Sequence, residues 1–106
     1  MKPYLLIEDL ASQTPDLPSD SILSRTFYED AQVKAILFGF APGQELSEHT
    51  ASHPAILHFV RGEADLTLGG EAHAAKAGTW AHMDANLPHS IKARTPVTML
   101  LLLFKE

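Results

Sequence analysis

Glycine and proline divide the chain into short apolar segments at intervals of about 8–12 residues, and this spacing restricts its fold. Val33–Phe40 and Val97–Phe104 are rich in branched and aromatic side chains, which β-strands favour. Ala64–Leu68 alternates apolar and polar residues, and Gly69-Gly70 directly after it is a two-residue hairpin signal. Because no long helical period competes with these strands, the sequence predicts an all-β sandwich or small barrel.

Length and charge exclude several classes of function. A chain of 106 residues corresponds to one domain, and an apolar content of 45% is that of a folded protein. The irregular, proline-containing start predicts an N-terminal arm over residues 1–20 and a β-domain over residues 21–106. The formal net charge of −5 disfavours nucleic acids and anionic membranes as partners, because both attract basic surfaces.

The absence of cysteine excludes disulfides, thiolate metal sites and cysteine nucleophiles. The apolar run over residues 4–7 is followed at once by Glu8 and Asp9, so it is too short for a signal peptide. No stretch approaches the roughly 20 apolar residues that a membrane-spanning helix needs. We therefore expect a cytoplasmic protein.

Two histidines stand at fixed distances from glycines in different parts of the chain. His49 lies six residues after Gly43 and thirteen before Gly62, and His89 lies eleven residues after Gly78. This separation places the histidines on different strands, about two hairpins apart. All-β folds bring metal ligands together in this way at the mouth of a barrel, so the pattern predicts a metal site if the two histidines meet.

These glycine and histidine positions resemble the two sequence motifs of the cupin family, and the similarity extends over residues 33–104. The resemblance implies a double-stranded β-helix, or jelly-roll barrel, whose mouth usually holds a metal ion. The chain departs from the motifs at Ala51 and Ala55, where the family has its second histidine and its glutamate. It also has Asp84 and Asn86 in place of a proline and a glycine. Two of the four usual ligand positions are therefore filled.

Three other histidines are candidates to complete the site. His53 is the first substitute if the chain bends beside it, and is otherwise an exposed loop residue. By alternation along its strand, His58 faces away from Ala55 and Leu57, so it points outward, toward a subunit interface, if these residues face the lumen. A buried, hydrogen-bonded core histidine is the favoured account of His58, whereas His82 can line either face. The predicted metal ligands are His49, His53 and His89. His58 and His82 are reserve candidates.

Histidine ligation is compatible with Zn, Cu, Fe, Mn or Ni, so the expected cofactor is a divalent transition metal. Open coordination positions would suit a metal-dependent enzyme of the dioxygenase or isomerase type acting on a small organic ligand. The alternative is a non-catalytic binding or sensing module without metal. The missing ligands would then leave a rather apolar cavity walled by Leu57, Phe59, Trp80 or Met83.

The most apolar strands also predict self-association. Val33–Phe40 and Val97–Phe104 carry more apolar surface than one small barrel must bury. The resemblance points the same way, since cupins commonly pair through sheet faces. We therefore expect a homodimer.

Overall fold

The computed structural model describes residues 2–14 and 18–105, and in these the chain is almost entirely β-structure. A 3₁₀-helix spans Leu10–Gln13, and nine strands follow: β1 Ile22–Glu29, β2 Val33–Phe40, β3 Glu45–His49, β4 Ala55–Arg61, β5 Ala64–Leu68, β6 Glu71–Ala75, β7 Trp80–Met83, β8 His89–Ala93 and β9 Val97–Phe104. The predicted all-β class is confirmed. Residues 1, 15–17 and 106 of the predicted arm and domain lie outside the described residues. No helix in these ranges has the length and hydropathy to cross a membrane.

The strands form two antiparallel sheets that face each other across the core. Sheet A has the strand order β1-β2-β9-β4-β7, and sheet B has the order β3-β8-β5-β6. From β2 onwards the chain passes repeatedly from one sheet to the other, and strands distant in sequence become neighbours. This crossing pattern is typical of a jelly roll, so the predicted jelly-roll barrel is confirmed.

Strict alternation along β4 decides which of its side chains reach the core. Ala55, Leu57 and Phe59 point inward and are at most 1% exposed. They belong to the same buried cluster as Leu66 and Ile91 of sheet B. Burial of each large apolar side chain in this cluster stabilises the folded state by about 1.5–3 kcal/mol. The intervening residues of β4 must then point to the outside of sheet A.

Glycines permit the tight turns that close the barrel. Gly69 and Gly70 have φ values of 57° and 85° and connect β5 to β6, which confirms the predicted hairpin. Gly62, with φ of 92°, lies directly against the backbone of Pro96. A Cβ atom at position 62 would lie 2.1 Å from the Pro96 carbonyl oxygen. Only glycine therefore allows the β4–β5 turn to approach the start of β9 this closely.

The N-terminal residues 2–14 cover part of the outer face of sheet A. The Thr14 hydroxyl lies 3.3 Å from the Thr98 hydroxyl of β9, which joins the arm to the sheet. A cavity of about 450 Å³ remains between the arm, which contributes Leu5 among others, and Leu100 and Leu102 of β9. The arm therefore shields apolar residues of β9 that the core of the barrel does not bury.

Candidate functional site

Strands β3 and β8 place two histidines side by side in sheet B. His49 is the last residue of β3 and pairs with His89, the first residue of β8. Their ring centroids lie 4.2 Å apart, with an angle of 56° between the ring planes. His89 is 6% exposed, whereas His49 is exposed. The pair therefore has one imidazole at the edge of the core and one open to solvent.

A β-bulge in β3 decides which of its side chains faces His89. Leu46 pairs with Ile91, and His49, three residues further along β3, pairs with His89, which is two residues from Ile91. Strand β3 therefore carries one extra residue over this interval. Because side chains alternate along a regular strand, an unbulged β3 would present Glu48 to His89 instead. The bulge thus places a second imidazole, rather than a carboxylate, in the site.

The backbone fixes the orientation and the tautomer of both rings. His49 donates a hydrogen bond from Nδ1 to the Ser47 carbonyl at 2.8 Å, and His89 donates from Nδ1 to the Leu87 carbonyl at 2.9 Å. Because a carbonyl oxygen can only accept, each Nδ1 carries a hydrogen, and in the neutral form of each ring Nε2 therefore has the lone pair. A backbone acceptor on the second nitrogen is the usual arrangement for a metal-binding histidine.

Burial keeps His89 in its neutral form. Removal from water lowers the pKa of His89 below 6.5, and the proximity of His49 lowers it further. The Leu87 carbonyl opposes this shift because it stabilises the protonated ring. At neutral pH the Nε2 lone pair of His89 is therefore free to accept a hydrogen bond or to bind a metal.

Among residues 2–14 and 18–105, the structure does not bring a third ligand to this pair. His53 is exposed in the connection between β3 and β4. In the part of the chain that the structure describes, no three or more His, Cys, Asp or Glu residues are grouped so as to hold a metal. The motif positions Ala51 and Ala55 carry only methyl groups. The residues present therefore fit a metal in part, as a site with two neutral nitrogen donors.

The reserve histidines lie on the outer face of sheet A, away from this pair. His58 is partly buried and pairs with Trp80 of β7, and Ile56 pairs with His82. The favoured account of His58 as a core histidine is wrong, because Leu57 and its alternate neighbours occupy the core face of β4. The outward orientation that alternation predicts for His58 is the one the structure shows. Trp80 is 58% exposed on the same outer face, so it does not line the cavity.

The backbone groups that orient the site could not be predicted from the sequence. The acceptor carbonyls belong to Ser47 and Leu87, each two residues before its histidine, and a carbonyl has no sequence signature. In the sequence, Asn86 is a departure from the motif glycine. It has a positive φ of 68°, the backbone conformation that glycine adopts most easily. That substitution was therefore the available signal for the turn beside His89.

Comparison with known proteins gives a family and a fold. The family model for a cupin domain matches residues 36–104. A conserved protein of unknown function from Streptococcus pyogenes is 26% identical, with a TM-score of 0.84 over 97% of this chain and 90% of that one. A cupin superfamily protein from Desulfitobacterium hafniense is 23% identical, with a TM-score of 0.85 over 96% of this chain and 95% of that one.

An enzyme is also among the similar structures, with a lower sequence identity to this chain. Salicylate 1,2-dioxygenase from Pseudoaminobacter salicylatoxidans is 11% identical, with a TM-score of 0.75 over 88% of this chain and 27% of that one. Similarity at this level shows a shared fold alone. No curated protein matches the chain. The two-sheet jelly roll and the family match over most of the chain together show that the protein belongs to the cupin family.

Proposed function

We propose that this cupin binds a divalent transition metal through Nε2 of His49 and Nε2 of His89, and that a small organic ligand completes the coordination. The proposal rests on one observation: the two imidazoles are adjacent, and each has its Nδ1 hydrogen bonded to a backbone carbonyl. Imidazole nitrogen binds Zn, Cu, Fe, Mn and Ni, so the pair is compatible with any of these ions.

The charge of the site favours an anionic ligand. Two neutral imidazoles leave the charge of a divalent cation uncompensated, and the bulge places His49 rather than Glu48 opposite His89. The protein's residues would hold the ligand next to Leu68, which pairs with His89 from β5. A bound metal would supply Lewis-acid or redox chemistry to that ligand. The enzymatic form of the proposal is a dioxygenase or isomerase type of reaction on a small organic acid.

Calorimetric titration of metal-free protein with Zn²⁺, Cu²⁺, Fe²⁺, Mn²⁺ and Ni²⁺ tests the metal site. We expect one ion per chain, with affinity lowered by more than about tenfold in His49→Ala and in His89→Ala. His73→Ala is the matched control, because His73 is an exposed histidine that lies 3.4 Å from Glu71 on β6. Failure of all five ions to bind stoichiometrically would contradict the proposal, as would unchanged affinity in both site variants.

A metal-free binding site is the second candidate, and the presence of only two donors favours it. Each Nε2 lone pair is a hydrogen-bond acceptor, so the pair suits a small ligand that carries hydroxyl or amide donors. A ligand that raises the melting temperature equally with and without a chelator supports this candidate. A rise that disappears with the chelator supports the metal site instead.

We also propose that a second copy of this chain covers the outer face of sheet A. Two cross-strand rows lie there, Leu102-Ile56-His82 and Leu100-His58-Trp80. Neither row contains Lys, Arg, Asp or Glu, although 20% of the chain is charged. Two copies that each carry a net charge of −5 repel one another, and contact through an uncharged surface adds no further like-charge repulsion.

A further inference from the structure

The turn before His89 contains an unusual backbone conformation. Asn86 has a φ of 68°, and among the described residues no other non-glycine residue has a positive φ. An L-residue adopts this left-handed conformation at a steric cost, and asparagine tolerates it better than most other side chains. A residue held in this conformation within three positions of a site histidine points to a local role of the backbone.

Two hydrogen bonds hold the turn in place. The Asn86 backbone N–H donates to the Ala51 carbonyl at 2.7 Å, and the Leu87 N–H donates to the Asp84 carbonyl at 3.3 Å. The first bond ties this turn to the segment that follows His49. The second closes the turn over Asp84–Leu87. The two segments that border the histidine pair are therefore joined through the backbone of one residue.

This turn also orients the acceptor of the His89 ring. The Leu87 carbonyl follows Asn86 directly and accepts the hydrogen bond from Nδ1 of His89 at 2.9 Å. The Pro88 carbonyl accepts a hydrogen bond from the Gly69 N–H at 2.8 Å, and His89 pairs with Leu68, so sheet B holds both residues in place. A change of φ at position 86 must then be absorbed between Asn86 and Pro88, which would turn the Leu87 carbonyl away from the ring. Without that acceptor, neutral His89 would distribute its hydrogen between Nδ1 and Nε2.

We infer that Asn86 is a positioning residue for the histidine pair: its left-handed backbone turns the Leu87 carbonyl toward His89, and this hydrogen bond keeps the Nε2 lone pair free. The requirement concerns the backbone and not the asparagine side chain, so glycine should replace it. The effect on metal affinity rests on the proposed function, whereas the effect on the tautomer does not.

The ¹⁵N chemical shifts of the His89 ring in metal-free protein test the inference, measured at mildly basic pH where the ring is neutral. We expect the Nδ1–H tautomer in the wild type and in Asn86→Gly, and a mixture containing Nε2–H in Asn86→Val. Metal affinity should fall about tenfold in Asn86→Val and return to the wild-type value in Asn86→Gly. Ala85→Val is the matched control, because it adds a branched side chain to the same turn and Ala85 does not have a positive φ.

Two results would overturn the inference. One is a wild-type tautomer in Asn86→Val, and the other is the same loss in Asn86→Gly, which would assign the role to the side chain. If Asn86→Val does not fold, Asn86→Ala provides the same comparison with a smaller side chain. Absence of metal binding in a wild type that shows the expected tautomer contradicts the proposed function and leaves this inference intact.

Discussion

His89 is a buried titratable group, so its environment couples protonation to stability. Because its pKa is lowered in the folded state, the unfolded chain binds a proton at a pH where the folded chain does not. Above the ordinary value of 6.5, His89 is neutral in both states and adds no pH dependence. As the pH falls below 6.5, protonation stabilises the unfolded state, and this loss continues down to the folded pKa.

Urea unfolding at about pH 7.5 and pH 5.5 tests this coupling. The free energy of unfolding should decrease more in the wild type than in His89→Gln, which cannot titrate at that position. The difference between the two proteins isolates His89 from the carboxylates and the other histidines. An equal pH dependence in both proteins would show that burial of His89 does not control acid stability.

Restoring a donor at Ala51 should strengthen metal binding. Ala51 occupies the motif position of the missing histidine, two residues beyond His49. It is partly buried, and its carbonyl accepts the hydrogen bond from the Asn86 N–H in the turn before His89. We expect Ala51→His to raise affinity by about tenfold or more and His53→Ala to change it less than about threefold, since His53 does not join the pair. Titration with Zn²⁺ measures both. A large loss in His53→Ala would show that His53 moves into the site on metal binding.

The histidine pair shows which site features were accessible from the sequence. The distances to Gly43 and Gly78 singled out His49 and His89, because turn glycines fix where a strand begins. The same pattern did not reveal the bulge in β3, since Leu46 and Glu48 alternate as in a regular strand. The direction in which each side chain of β3 points depends on a backbone irregularity that has no side-chain signature. For this reason, the set of histidines that completes the site stays a prediction.

At the scale of elements, local pattern was sufficient for most strands. The structure shows the predicted bounds for three strands: Val33–Phe40, Ala64–Leu68 and Val97–Phe104. A glycine or proline near one end of each apolar run made these bounds predictable. The role of β4 was harder to predict. Its outer residue His58 looked like a core residue because β4 is apolar on both faces, and the outer face becomes clear only when β7 and β9 are placed beside it.

The β4–β5 turn should depend strongly on Gly62. In Gly62→Ala, a methyl group would collide with the Pro96 carbonyl, and the backbone that must move starts β9. We expect a loss of about 2–4 kcal/mol in the free energy of unfolding. Gly78→Ala is the matched control, because Gly78 has a similar φ of 96° and open space around its Cα.

Chemical denaturation of both glycine variants separates steric conflict from backbone strain. Gly78→Ala should lose about 1–2 kcal/mol, the cost of a left-handed alanine alone. Similar losses in the two variants would mean that the turn moves away from Pro96 without cost. That result would contradict a requirement for close packing between the β4–β5 turn and β9.

At the scale of the whole molecule, the outer face of sheet A is covered unevenly. The arm shields Leu100 and Leu102 at one side of the face, whereas Trp80 at the β7 edge is 58% exposed. Tyr4, Leu5 and Leu6 on the arm are also exposed. Large apolar side chains exposed on one side of a small domain are typical of an interaction surface.

Light scattering across a concentration series tests whether this surface forms a dimer. We expect twice the chain mass for the wild type and one chain mass for Trp80→Glu, because a carboxylate would be desolvated within the interface. Ala72→Glu is the control, since Ala72 is exposed on β6 in the opposite sheet. A monomeric wild type, or a Trp80→Glu variant that remains dimeric, would show that a second copy does not cover this face.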